Sequence, residues 1–151
     1  MACNLGLDSK LYYDVDGTLA LATWVELDLA RDVNTSASAA EAEQSDRRTN
    51  FVMTCPALLS LETSATFTYE NGDANLTALR DAFINRTSIL LAVVDGNIAT
   101  SGTEGFVYYA HVYSNDFNQP LTEGATVEVT FKPTTPPSTD PTVYPQWYVV
   151  P

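Results

Sequence analysis

"LYYDVDGTLA", residues 11–20, decides between two architectures. A short apolar run leads into Asp14-Val15-Asp16-Gly17. Such a run can be a buried strand that presents two carboxylates at the edge of an α/β sheet. It can equally be the first arm of a hairpin, with Asp16-Gly17 as the turn, because Asp-Gly between alternating segments is the strongest short hairpin signal. The residues downstream favour the hairpin. Val25, Leu27 and Leu29 alternate with Trp24, Glu26 and Asp28, and period two puts the apolar set on one face of a strand. A hairpin from Lys10 to Ala30 is expected, and with it an antiparallel fold.

The same ten residues look like the first motif of the haloacid-dehalogenase phosphatases. That resemblance implies Asp14 as phosphoryl acceptor and Asp16 as general acid/base. The rest of the chain does not support it. An alternating strand follows Asp-Gly where a helix or cap is needed. The only downstream lysine is Lys132, and the alternating βαβα pattern is missing. The remaining candidates for chemistry are sparse. His111 is the only histidine, so no Ser–His–Asp triad or His-based metal site can be assembled. Asp14/Asp16, Asp73 and Asp95 sit in turn sequences without the spacing of a Ca²⁺ loop. "GTEG", residues 102–105, has no lysine and does not lead from a strand into a helix, so it is no phosphate loop. No catalytic residue, metal site or cofactor is expected.

Outward from the hairpin, residues 31–50, "RDVNTSASAAEAEQSDRRTN", are polar and Ala/Ser-rich with no apolar face. They read as a long polar loop, too long for an ordinary connection and suited to an arm that orders on a neighbour. From residue 59, Leu59, Leu61, Ala65, Phe67 and Tyr69 alternate with Ser60, Glu62, Ser64, Thr66, Thr68 and Glu70. That is a strand with one wet face. "DANLTALRDAFINR" carries Leu76, Leu79, Ala82 and Phe83 at helical spacing, with Asp73 or Asn75 as N-cap. "SILLAVVDG" is apolar on both faces and reads as a central strand. "FVYYAHVYSNDF" and "ATVEVTFKP" are two more strands, the second with Val127, Val129 and Phe131 inward. A Pro-rich tail ends in "QWYVVP", a candidate edge strand. Six or seven strands and one helix give a mainly β fold: a β-sandwich or open barrel with one flanking α-helix. The expected domains are residues 1–133, with the loop at 31–50, and a Pro-rich C-terminal extension at 134–151.

The 151 residues carry 19 acidic and 7 basic side chains, a net charge of −12. Tight wrapping on nucleic acid draws its affinity from phosphate neutralisation and is disfavoured here. No basic amphipathic helix or ~20-residue apolar run points to a membrane. Cys3 and Cys55 do not make a disulfide framework. "MACNLGLDSK" lacks a basic segment followed by an apolar core, so no secretory leader is expected, and the Asn-x-Ser/Thr sites at Asn34, Asn75 and Asn85 are read as chance.

The order of elements resembles the tail tube (major tail) proteins of long-tailed bacteriophages. The likeness is carried by "WVELDLARDV", by "EAEQSDRRTNFVMTCPALLSLETSATFTYE", by "ANLTALRDAFINRTSILLAVVDG" and by "GFVYYAHVYSNDFNQPLTEGATVEVTFKP". It spans roughly residues 5–133 as a match of element order. The resemblance implies a structural virion protein of the tail, made in the host cytoplasm. Homo-hexameric rings stack into a hollow tube, DNA passes through without specific binding, and terminator, tape-measure and baseplate proteins are further partners. Glu26, Asp28, Glu62 and Glu70 are the expected lumen-facing carboxylates. Asn34, Thr35, Ser36, Glu41, Glu43, Asp46, Arg47 and Arg48 are the expected inter-subunit or inter-ring loop. A stand-alone β-sandwich binding module or a capsid decoration protein stays open as the alternative.

Overall fold

The computed structural model of the chain describes residues 5–15 and 17–151. Among these residues eight strands form one antiparallel sheet. They are β1 (Lys10–Asp14), β2 (Val25–Glu26), β3 (Ala30–Glu43), β4 (Thr54–Thr68), β5 (Ile89–Val94), β6 (Glu104–Asn118), β7 (Thr126–Pro133) and β8 (Gln146–Val149). One helix, α1 (Ala74–Asn85), lies between β4 and β5. The strand order is β2-β1-β5-β6-β7-β4-β3, with β8 paired to the start of β6.

The two ends of this order are nearly the same piece of chain. β2 ends at Glu26 and β3 begins at Ala30. The intervening residues bond to both sides: Leu27 N–H donates to Leu11 O at 2.8 Å, and Thr68 N–H donates to Leu29 O at 2.9 Å. The sheet therefore wraps round on itself. Leu11, Tyr13, Leu27, Phe67, Leu91, Tyr108, Val129 and Phe131 fill the interior. Alternation along each strand supplies these residues, as expected for β4 and β7. Leu79 and Ala82 of α1 pack on the same core. Asp73 caps the helix by accepting Leu76 N–H at 3.0 Å, and Arg86 ends it at φ 56°. Phe83, expected on the packed face, is 39% exposed, because the helix presents only a narrow stripe.

The central strands β1, β5 and β6 are covered on both faces, as the doubly apolar "ILLAVV" requires. Their outer face carries Tyr12, Leu90, Ala92, Val107 and Tyr109. The C-terminal segment covers it with Val143 and Tyr148, and Leu19, Ala22 and Trp24 complete the layer. Asp140 ties this segment down: its Oδ2 accepts Tyr109 Oη at 2.9 Å and Leu19 N–H at 2.9 Å. Gly105 has no room for a side chain against β5; a Cβ there would meet Val93 O at 1.9 Å.

Two expectations are corrected. The Lys10–Ala30 hairpin is not a continuous ladder. Only Tyr12↔Glu26 and Tyr13↔Val25 pair, and residues 19–21 form a 3-10 turn. The Asp14 carboxylate organises the excursion by accepting Thr23 N–H at 3.0 Å. Asp16, the expected turn residue, lies outside the described residues, as does Cys3. The larger correction concerns residues 31–50. Residues 30–43 are a 14-residue strand paired along its length with β4, from Ala30↔Phe67 to Glu43↔Thr54. The segment lacks an apolar face because most of it buries neither face. Backbone pairing and side-chain hydroxyls hold it, with Thr35–Thr63 at 3.1 Å and Ser38–Ser60 at 2.8 Å. Beyond the core, β3 and β4 run on as a two-stranded ribbon.

Candidate assembly surfaces

Strands β3, β4, β7 and the second half of β6 make one four-stranded wall. Its inner face is the core. Its outer face is set by the even-numbered residues of β4, which β3, β7 and β6 extend in register. Asp32, Thr66, Glu128 and Asp116 stand in a single row across the four strands. The neighbouring row is Asn34, Ser64, Thr130 and Ser114. Three carboxylates thus share one row on a surface made otherwise of hydroxyls and amides. Lys132 supplies a counter-charge on the wall, with Nζ 4.0 Å from Glu62 Oε2 and 5.1 Å from the Tyr113 ring centre. Among the described residues no group of three or more His, Cys, Asp or Glu is arranged to hold a metal ion.

Both edges of this wall are open among the described residues. β3 pairs only with β4, leaving its other edge free over the whole strand. β6 pairs with β5 over residues 105–110 and with β7 over residues 110–118. The edge of residues 111–118 on the β5 side has no strand partner. An exposed edge is a template for another chain.

The expected carboxylates fall in different places. Glu62 is on the polar face of the wall. Glu26 is ion-paired with Lys10 at 2.7 Å, and this bond raises the lysine pKa. Asp28 is exposed in the connection before β3, and Glu70 is exposed just after β4. Asp32, Asp116 and Glu128 complete the row. Glu128 was legible from the alternation of β7. Asp32 was hidden by the loop reading of 31–50, and Asp116 by the bulge at Tyr113, which shifts the register of β6. The expected loop residues Asn34, Thr35, Ser36, Glu41 and Glu43 are on β3, while Asp46, Arg47 and Arg48 lie in the turn that ends the ribbon. Arg48 is held to Asp46 by Nε–Oδ2 at 2.8 Å, which lowers the carboxyl pKa.

The ribbon is the second surface. Leu58 and Leu59 are 85% and 81% exposed, and Phe51, Val52 and Met53 at its tip are also open to solvent. A two-stranded ribbon by itself is marginal in water. Exposed apolar side chains on such a ribbon mark an interaction surface.

The described residues thus form a self-closed barrel with two open edges on one wall and a projecting ribbon. The comparisons agree on the fold. No family model and no curated protein sequence matches the chain. Among solved structures it is similar to the SPP1 tail tube, with a TM-score of 0.69 at 14% identity over 85% of this chain and 74% of that one. It is equally similar to a chain in the tail of an empty gene transfer agent particle with C6 symmetry: TM-score 0.69, 12% identity, 87% of this chain and 95% of that one. A chain of the six-fold symmetrised anti-feeding prophage baseplate matches at TM-score 0.60 and 2% identity, over 99% and 98% of the two chains. The chain has the tail tube fold, mainly β with one flanking helix. No helix among the described residues is long and apolar enough to cross a membrane.

Proposed function

We propose that the protein is a structural subunit of a virion tail that closes into rings, which stack into a hollow tube. The observation that carries this reading is the pair of open edges on one four-stranded wall. The β3 edge of one copy can pair with the 111–118 edge of β6 on the next. Repetition of that head-to-tail contact makes a ring if the rotation closes. The solved structures of this fold named above are six-fold in two of three cases. Six copies of a four-stranded wall give a barrel with a radius of about 24 Å, for strands ~4.8 Å apart and tilted ~40°.

In such a ring the core face of each wall points outward, into its own subunit, and the polar face lines the lumen. Asp32, Glu62, Asp116 and Glu128 then face the channel, and Asp28 and Glu70 flank it just outside β3 and β4. An anionic, hydroxyl-rich wall repels phosphate, so DNA passes without binding. The ribbon reaches a neighbouring subunit or ring. The ends of the tube offer the same surfaces to terminator, tape-measure and baseplate partners.

Negative-stain electron microscopy of the purified protein, with sedimentation velocity over a concentration series, tests the reading. Rings or tubes with a central channel are expected. A protein that stays monomeric at high concentration would refute it.

A further inference from the structure

A groove of about 810 Å³ opens at the base of the ribbon, where Asp32, Val33 and Thr35 of β3 form one side. Its opposite side carries Phe106 and Trp147, whose rings meet edge to face at 5.1 Å. Trp147 Nε1 donates to Glu104 Oε2 at 3.3 Å, and Glu104 N–H donates to Asp95 Oδ1 at 3.0 Å. The groove is acidic on balance. Glu26, Asp28, Asp32, Asp95 and Glu104 line it against two cations, Lys10, which pairs with Glu26, and Arg31. The ion pairs among the described residues, Lys10–Glu26, Arg48–Asp46 and Lys132–Glu62, include none of Asp28, Asp32, Asp95 and Glu104.

The ribbon tip has the opposite character. Residues 44–53, "QSDRRTNFVM", hold two of the seven basic residues of the chain. Arg47 is exposed and has no ion pair among the described residues. Phe51 and Val52 beside it are 78% and 72% exposed. A tip of one cation and two large apolar groups matches a groove of carboxylates and aromatic rings in charge and in apolar character.

We propose that this groove receives the ribbon tip of a second copy of the chain, Arg47 meeting Glu104 and Asp95, and Phe51 and Val52 packing on Phe106 and Trp147. The chain cannot fill its own groove. About ten residues of extended strand separate tip from base, on the order of 33 Å. The contact is head-to-tail, so every copy offers one tip and one groove. This inference rests on the self-assembly reading and names the partner surface that the ribbon takes.

The test is charge reversal with cross-complementation. Arg47→Glu and Glu104→Arg are made separately in the full chain, with Asp28→Lys as a second groove variant in case Glu104→Arg disturbs the fold. Each variant alone is expected to raise the critical concentration for assembly about tenfold or more, because like charges then face each other. An equimolar mixture of Arg47→Glu with the groove variant restores assembly to within about threefold of wild type, since each tip now meets a complementary groove. Wild-type-like assembly of the single variants overturns the proposal, as does a mixture that stays unassembled while both proteins keep the native circular dichroism spectrum. Failure of the wild-type protein to assemble would instead sink the tube reading itself, and this contact with it.

Discussion

The hydroxyl of Tyr109, in the middle of the sheet, donates to Oδ2 of Asp140 at 2.9 Å, fastening the C-terminal segment to the barrel wall. The same oxygen accepts Leu19 N–H, so one carboxylate joins three stretches of chain. Asp140→Ala leaves the nearly buried hydroxyl only the longer bond to Gly17 O, at 3.4 Å, and the Leu19 amide without its acceptor. It is expected to lower stability by about 1–3 kcal/mol, read as a shifted urea midpoint with unchanged slope.

Burial pushes both central tyrosines up, Tyr108 to about 12 and Tyr109 to about 12, with Asp140 adding to the second. A raised tyrosine pKa means that folding favours the neutral phenol. Unfolded chains release this proton near pH 10, and the folded protein holds it to about pH 12. The contribution is complete below about pH 10 and disappears as pH rises through the folded value. Denaturation midpoints are therefore expected to fall between pH 10 and 12, with the phenolate absorbance of Tyr108 and Tyr109 appearing together with unfolding. Phenolate absorbance of all eight tyrosines appearing near pH 10 in a folded protein would contradict this.

Thr63 is fully buried and accepts Tyr108 Oη at 2.5 Å while sharing a hydrogen bond with Thr35. The two ends of this chain respond differently to deletion. Tyr108→Phe removes a donor and leaves Thr63 its Thr35 partner, at a cost of about 1 kcal/mol. Thr63→Val strands the Tyr108 hydroxyl in the core and costs more, about 1–3 kcal/mol. Equal losses in thermal or urea unfolding would show that the hydroxyl finds another acceptor.

The ribbon can be removed without touching the core, because Ala37 and Leu61 are paired across it and the buried residues Thr63, Ala65 and Phe67 lie on the near side. Replacing residues 38–60 with a two-residue Asn-Gly turn is expected to give a folded monomer with native near-ultraviolet circular dichroism. That monomer forms no tubes. Normal tubes by electron microscopy would show that the ribbon is dispensable.

Much of the fold was legible because burial leaves a periodic imprint. β4 and β7 alternate cleanly, β5 is apolar on both faces, and Asp73 marks the start of α1. Residues 30–43 were not legible because their strand is specified by pairing with β4 and by hydroxyl contacts, neither of which writes a hydrophobic period into the sequence. The two-residue β2 was overextended for the opposite reason: Leu27 and Leu29 alternate as in a strand, but they bridge two strands at the seam of the barrel. Of the acidic wall, Glu62 and Glu128 could be read from strand periodicity. Their alignment with Asp32 and Asp116 depends on register across four strands, and local sequence does not carry that information.

The strand order also sets a timetable for synthesis. β4 reaches β6 only through β7, whose residues 126–133 follow β6 in the chain. The ribbon can form on a nascent chain as soon as β4 has emerged, because its contacts are local. The two open edges come to lie on one wall only after β7 has slotted between β4 and β6. A subunit made only as far as β4 offers its ribbon and its β3 edge, and the second open edge joins them on one wall only once β7 has been made.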